Sequence, residues 1–467
     1  MPVAAFCLGK SFLRICGDVM NSQPYEMSNK RKYMVGQIIF LAWPVVAEMV
    51  CLVIGGVLTT AMVGRFGAVV VAAVGLATLL QVTSSMVIAA AGTGAGALVA
   101  RAYGARDFEN ARETAGQAIV IGFSASIFAS ILLYNGGKVL IAFASPDAAV
   151  VEMASGFLAI MAFFLPFMSI TSVSLASVRA TGKTRVAMCV AVIGQLLSLS
   201  VTYSMLFIFK IGVFGAIFGM ASSWVVASMM SFFAVKSEYT VGLKLKHILP
   251  VRRDIIENVL KISAPAALEQ IAIQSGRVVF ALLMATAGAT QYAGHNVALQ
   301  IESISFMPGM AFGIAAMTLV SQNLGRGLPQ RAKEYAWLTC FLCAGIMSFI
   351  GIFFFIFAED LTKLFIDDPA VWAWGTSCVK ISGIEQVFLA IGMVFPGVLR
   401  GSGDAVSAMY VAILGSWCFR IPCILLMKYL GHFDVVVGWT FTFFDIAMRA
   451  ILFIYIVRKK DWNKAAT

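Results

Sequence analysis

Four glutamates stand where a carboxylate is expensive to keep. Glu269, Glu302 and Glu385 fall inside strongly apolar stretches in the second half of this 467-residue sequence, and Glu48 falls inside the first apolar stretch of the opening half. In hydrocarbon a charge persists only when it is paired, hydrated or neutralised, so each of these acids marks a candidate site for cation or proton chemistry. Glu302 and Glu385 lie near the middle of their runs. Glu269 comes seven residues after Ile262, about 10 Å into its own run at 1.5 Å per residue. Three acids at similar depth would bind a metal cation or take up protons. The plainer alternative is a protonated acid that hydrogen-bonds between helices.

Other residues surround that chemistry. His295 precedes Glu302 by seven positions, nearly on one helical face, and either shares a proton path with it or sits at the outer interface. Arg277 is either the counter-ion of the acids or a donor to helix-end carbonyls. Gln81, Gln274, Phe306 and Met307 are expected to line a substrate cavity, the last two as an adaptable apolar wall. Asp445 and Arg449 are four residues apart and can neutralise each other. Arg420 precedes Pro422 by two positions and has freed carbonyls to satisfy.

Several chemistries find no support. No nucleophile–base or metal constellation has convincing spacing, so the chain is not expected to be an enzyme, and no metal site or organic cofactor is expected. Cys340 and Cys343 form a CxxC inside an apolar helix, where packing is the simpler account. Gly9-Lys10-Ser11 and Gly182-Lys183-Thr184 lack the leading glycine of a phosphate cradle, with Ala4 and Ser177 in its place. ATP is therefore not expected to supply energy, which leaves an ion gradient.

The elements that must position these residues are membrane helices. The sequence is 60% hydrophobic and 12% charged, whereas a soluble domain carries about a quarter charged residues. Twelve apolar runs are long enough to span a bilayer, at 38–63, 69–99, 114–135, 153–178, 186–209, 213–235, 262–285, 292–320, 336–357, 371–398, 406–427 and 435–457. A shift of 221 residues superposes the two halves, with Pro44 on Pro265, Glu48 on Glu269, Gly104 on Gly325, Arg179 on Arg400 and Gly182 on Gly403. Six spans per copy is an even number, so both copies enter the bilayer in one orientation. The expected fold is an all-α integral membrane protein of two six-helix lobes, related by a pseudo-twofold axis along the membrane normal. The expected boundaries are a tail at 1–36, an N-lobe at 37–235, a linker at 236–261, a C-lobe at 262–457 and a tail at 458–467. Met27 opens a plausible basic start, with residues 1–26 as an optional extension.

Charge sets the topology. Of 34 Lys and Arg, 25 fall in the segments on the side of the two termini and 5 in the opposite loops. That bias places both termini in the cytosol and accounts for the net charge of +11 without a nucleic-acid partner.

Met62-Val63-Gly64-Arg65-Phe66-Gly67, Ala298-Leu299-Gln300-Ile301-Glu302, Val320-Ser321-Gln322-Asn323-Leu324-Gly325 and Leu399-Arg400-Gly401 with Gly403-Asp404, together with the proline-opened first and seventh spans, carry a resemblance. From about residue 35 to 457 the chain resembles the multidrug and toxic compound extrusion (MATE) transporters. The resemblance implies two lobes in a V around a central cavity, and cation-coupled export of amphipathic, often cationic compounds. Many bacterial members carry an aspartate where Thr59 stands, and members of the family often carry acids where Ile273 and Leu389 stand. The Glu269/Glu302 pair is similar to the eukaryotic-type arrangement, which suits protons, yet three carboxylates can also hold sodium, so the resemblance leaves H+ and Na+ open.

The repeat is chemically uneven: Glu302 corresponds to Gln81, Glu385 to Phe164, Arg277 to Gly56 and His295 to Val74. Coupling is therefore expected in the second lobe, through Glu269, Glu302 and Glu385, with Glu48 as the lone first-lobe acid. The expected function is an antiporter that exports amphipathic organic cations in exchange for H+ or Na+, acting as a monomer in the plasma membrane. A flippase for a lipid-linked sugar is the alternative.

Overall fold

The computed structural model describes residues 27–144 and 147–465. The expectation for residues 1–26 lies outside them. Twelve helices among the described residues are long and apolar enough to cross a membrane. They are α1 (Met27–Gly64), α2 (Ala68–Gly104), α3 (Phe108–Ala144), α4 (Ala148–Ala180), α5 (Thr184–Ile208) and α6 (Phe214–Lys236) in the first half. The second half supplies α7 (Arg253–Ala285), α8 (Ala289–Gly325), α9 (Pro329–Ile356), α10 (Pro369–Gly401), α11 (Ala405–Tyr429) and α12 (Val435–Lys459). No strand occurs among the described residues.

Two helices begin well before their apolar runs. α1 starts at Met27, inside the expected tail, and α7 starts at Arg253, inside the expected linker. The first turns of both are polar, so hydropathy could not register them. Their backbone hydrogen bonds are nonetheless made within the helix.

The 221-residue repeat extends to the turns. Asp147 caps α4 and its counterpart Asp368 caps α10, each accepting from a backbone N–H two residues on at 2.9 Å. Gly182 and Gly403 close α4 and α10 with φ of 85° and 84°, a region that costs glycine little. Within each lobe one central helix is packed by several others: α4 against α2, α3 and α6, and α10 against α8, α9 and α12. The N-lobe core joins Phe157, Leu158 and Met161 to Ile141 and Ile217, and the C-lobe core joins Met284, Ile301 and Val379 to Trp439. Phe128, Phe163, Leu282 and Phe349 are exposed, as lipid-facing side chains should be.

At the end that carries the two termini the lobes interlock. Met34, Ile38, Leu41, Ala42 and Val45 of α1 are buried in a cluster with residues of α8, α9 and α10 from the other lobe. In the reciprocal place Ile255 and Val259 of α7 are buried against α2 and α3. The closest crossing is between α2 and α8. A Cβ on Gly104 would collide with the Gln322 carbonyl, and one on Gly325 with the Arg101 carbonyl. These four residues are two repeat-related pairs, so the pseudo-twofold axis passes between them. Gln322 Nε2 donates to Ala180 O at 2.7 Å, Lys30 pairs with Glu334 at 2.8 Å, and Tyr335 donates to Gln37.

The connection between the lobes is strapped to α3. Gln117 Nε2 donates to the carbonyls of His247, Ile248 and Pro250 at 3.1, 3.3 and 3.1 Å, while its Oε1 accepts Arg252 N–H at 3.1 Å. Glu109 holds Lys246 at 2.7 Å, and Arg252 pairs with Glu113 at 2.6 Å.

Candidate functional site

Five helices of the C-lobe bring six charged side chains into one region. α7 supplies Arg277, α8 Glu302, α10 Glu385, α11 Arg420, and α12 both Asp445 and Arg449. Glu302 and Glu385 face each other within hydrogen-bonding range, and both are buried. Neither oxygen of Glu385 accepts a hydrogen bond from a protein donor among the described residues. Two carboxyls in contact supply acceptors and no donor, so a shared proton or a bound cation is needed to hold them together.

The acids have guanidinium neighbours. Arg449 donates from Nε and Nη2 to Asp445 at 2.6 and 2.5 Å, and also from Nη2 to Ser416 Oγ at 2.9 Å. The expected neutralisation of Asp445 by Arg449 is what the structure has. Arg420 lies 3.8 Å from Asp445, stacks over the Phe280 ring at 4.9 Å, and is within electrostatic reach of both Glu302 and Glu385. Its backbone closes a π-helical stretch, Leu414–Arg420, that ends two residues before Pro422. Such wide turns recur at functional sites. Arg277 stacks over Phe306 at 5.4 Å, with Glu302 as its electrostatic neighbour.

Glu269 is not at the depth of the other two acids. It bonds Arg400 at 2.6 Å, and Arg400 is the penultimate residue of α10. Glu385 stands fifteen residues earlier on that helix, roughly 22 Å along its axis. The expectation of three acids at one depth measured Glu269 from the start of its apolar run. Glu302 and Glu385 sit in the middle of their helices, and Glu269 is bonded at the terminus-bearing end of α10. Glu48 has the repeat-related position and bonds Arg179 at 2.5 Å. Both ion pairs span 131 residues and tie the first helix of a lobe to its fourth.

His295 is fully buried within the C-lobe, six residues from the start of α8. Its Nδ1 accepts Trp439 Nε1–H at 3.0 Å, and Phe280 and Tyr292 pack on its ring. Gln274 reaches across the lobes to Met86 Sδ at 3.0 Å, whereas Gln81 stays within the N-lobe, bonded to Ser85 at 2.7 Å. Phe306 and Met307 are half-buried, four and five residues after Glu302 on α8. Cys340 and Cys343 are buried in α9, and Cys343 approaches Met347 Sδ at 3.7 Å.

Residues overlooked by motif reasoning complete the picture. Ser416 and Phe280 carry no charge to draw notice, and Gln117 lies in a span far from the acids. The Arg179 and Arg400 pairings did leave a signal: each glutamate–arginine pair recurs at the same spacing in both halves.

The sequence pattern of the MatE family matches this chain twice, at residues 44–204 and 265–426. The chain is 27% identical over 438 residues to the probable multidrug resistance protein NorM of Thermotoga maritima, a match covering 92% of this chain and 93% of that protein. It is 24% identical over 449 residues to the multidrug resistance protein MdtK of Yersinia pestis, covering 92% and 96%. Among solved structures, an outward-facing multidrug resistance MATE family transporter of the MOP superfamily superposes with a TM-score of 0.85 at 19% identity, covering 91% of this chain and 96% of that one.

Proposed function

Because the chain belongs to the MatE family, the multidrug and toxic compound extrusion transporters, we propose that it is a multi-pass membrane antiporter exporting amphipathic organic cations in exchange for protons. Members of the family are transporters, so the chain is a transporter and not an enzyme. Its cargo is then a range of small molecules, in keeping with the multidrug resistance relatives.

The observation that carries the coupling proposal is the facing pair Glu302 and Glu385. One shared proton satisfies that contact with a single hydrogen bond. A sodium ion instead needs a shell of oxygens, and the nearby groups include the Arg277 and Arg420 guanidiniums and the Phe280 and Phe306 rings. With the lobes closed at the terminus-bearing end, protons enter from the far side and neutralise the pair. Its attraction for a cationic cargo falls, and Arg420 gives up that partner in favour of Asp445. The lobes then rock, the pair ionises toward the cytosol, and the restored charge recruits cargo. Competition for one charged pair supplies the differential affinity that exchange demands. Glu48 and Glu269 serve in this scheme as braces through Arg179 and Arg400. The positive-inside bias supports cytosolic termini in the plasma membrane, and the monomer is the working unit.

Proteoliposomes carrying an imposed pH or sodium gradient, loaded with ethidium, test the proposal. Ethidium should move against a pH gradient, and Glu302→Gln and Glu385→Gln should each abolish that movement while preserving reconstitution. Wild-type rates in both variants would refute the mechanism, and movement driven by sodium alone would replace the ion.

A further inference from the structure

Arg277 is the cation that the acid chemistry leaves over. Glu48, Glu269 and Asp445 each bond an arginine at 2.6 Å or less, and Arg420 stands 3.8 Å from Asp445. Among the described residues Arg277 has no hydrogen bond and no ion pair. It has the Phe306 ring at 5.4 Å and the field of Glu302.

Its position on α7 decides where it looks. Ser263 and Gln274 are residues of α7 that touch α2 of the other lobe, at Ala91 O (3.5 Å) and Met86 Sδ (3.0 Å). Fourteen residues beyond Ser263 return the helix to within about 40° of that face. Arg277 therefore leaves α7 close to the face turned to the N-lobe, three residues past the Gln274 contact and farther from the interlocked end, and its guanidinium reaches the Phe306 ring of α8. There it is exposed despite being surrounded by protein, the condition of a side chain that lines the cleft between the lobes. The facing wall offers it no anion. Between Tyr33 and Gly104, the stretch containing α1 and α2, the sequence has one acid, Glu48, and that acid is engaged by Arg179. The guanidinium is thus braced on one side by the Phe306 ring, with its donors unpaired and Glu302 as its anionic neighbour.

We propose that Arg277 is a cargo-binding residue that takes a carboxylate, so that the preferred cargo is a zwitterionic amphiphile rather than a simple cation. This rests on the antiporter reading and names its substrate class. The guanidinium fork matches a carboxylate through two parallel hydrogen bonds. The cargo's apolar body lies against Phe306, and its cationic nitrogen reaches Glu302 and Glu385. Protonation of those acids then frees the nitrogen end, while the carboxylate stays on Arg277 until the cleft admits water.

The free acid and the methyl ester of one rhodamine dye differ only in the carboxylate, which makes them a matched pair of probes. Binding of both is measured by fluorescence polarisation on purified protein in nanodiscs, alongside their transport in proteoliposomes. Wild type should favour the acid, and Arg277→Gln should lower the acid-to-ester affinity ratio by at least about tenfold, as expected for loss of hydrogen bonds between charged groups. Arg277→Lys, which keeps the charge without the fork, should retain part of the preference. If the Gln variant is not monodisperse, a fall in the ratio of about threefold or more in the Lys variant decides the question. An unchanged ratio overturns the proposal, as does a wild type that transports the ester and fails to bind the acid. In that last case the antiporter stands. A wild type that transports neither dye under any gradient removes the antiporter reading, and the cargo assignment with it.

Discussion

Breaking the Glu269–Arg400 pair separates a brace from a coupling acid. The two side chains are 4% and 18% exposed and meet at 2.6 Å. At an effective dielectric near 20, unit charges about 4 Å apart attract by ~4 kcal/mol. Removing one partner also strands the other, and for buried pairs the measured cost is about 3–5 kcal/mol. Glu269→Gln leaves the Arg400 charge without its partner, and Arg400→Met leaves the Glu269 carboxylate without its own. Each single variant should therefore lose ~3 kcal/mol or more, whereas the double variant strands nothing and should lose closer to ~1 kcal/mol. Unfolding of purified protein in mixed micelles, followed by circular dichroism, measures all four corners of the cycle. The repeat-related Glu48–Arg179 pair, at 2.5 Å with side chains 6% and 15% exposed, should behave alike and serves as an internal replicate. Dye efflux, normalised to folded protein, should survive in the double variant. A double variant as unstable as the sum of the singles would refute the ion-pair account. A stable double variant without proton-driven efflux would return Glu269 to the coupling acids.

Two further perturbations test parts away from the acid pair. Gln117→Leu removes one donor shared by three carbonyls and the acceptor of Arg252 N–H, so it should cost about 1–3 kcal/mol, and limited proteolysis should show faster cleavage between residues 237 and 252. His295→Phe keeps the aromatic packing but strands Trp439 Nε1–H, which should also lower stability by about 1–3 kcal/mol. If His295 is a packing residue, proton-driven ethidium exchange per folded molecule should stay within twofold of wild type, and loss of coupling at unchanged stability would put it on a proton path.

Much of this architecture is legible in the sequence because membrane helices and duplication both leave long-range periodic traces. The apolar runs locate all twelve helices, and the 221-residue shift predicts paired turns such as Gly182 and Gly403. What escapes is whatever hydropathy does not weigh. The polar first turns of α1 and α7 are helical for backbone reasons, so their starts fall at Met27 and Arg253, ahead of the apolar runs. Glu302 and Glu385 are visible as buried acids, but that their carboxyls meet is a matter of how α8 and α10 cross. Glu269 looks like their companion until its arginine is found on the far end of α10. That pairing was within reach, since Arg179 follows Glu48 by the interval at which Arg400 follows Glu269. Arg420 and Asp445 approach one another through the π-helical stretch of α11, a backbone irregularity that residue types alone do not announce.

The crossing of α2 and α8 bears on the chain's ancestry. Arg101 and Gly104 on one side meet Gln322 and Gly325 on the other, and each member contacts the counterpart of its own neighbour. That is the isologous contact two identical subunits make across a twofold axis. The lending of α1 to one lobe and α7 to the other extends the same relation to an exchanged element. A single unit of this fold would thus present, as its largest unfinished surface, a site complementary to a second copy of itself. Fusing the copies left that dimer interface in place and freed each half to change without its twin. The carboxyl pair in one half, with Gln81 and Phe164 at the corresponding positions of the other, is the use that freedom was put to.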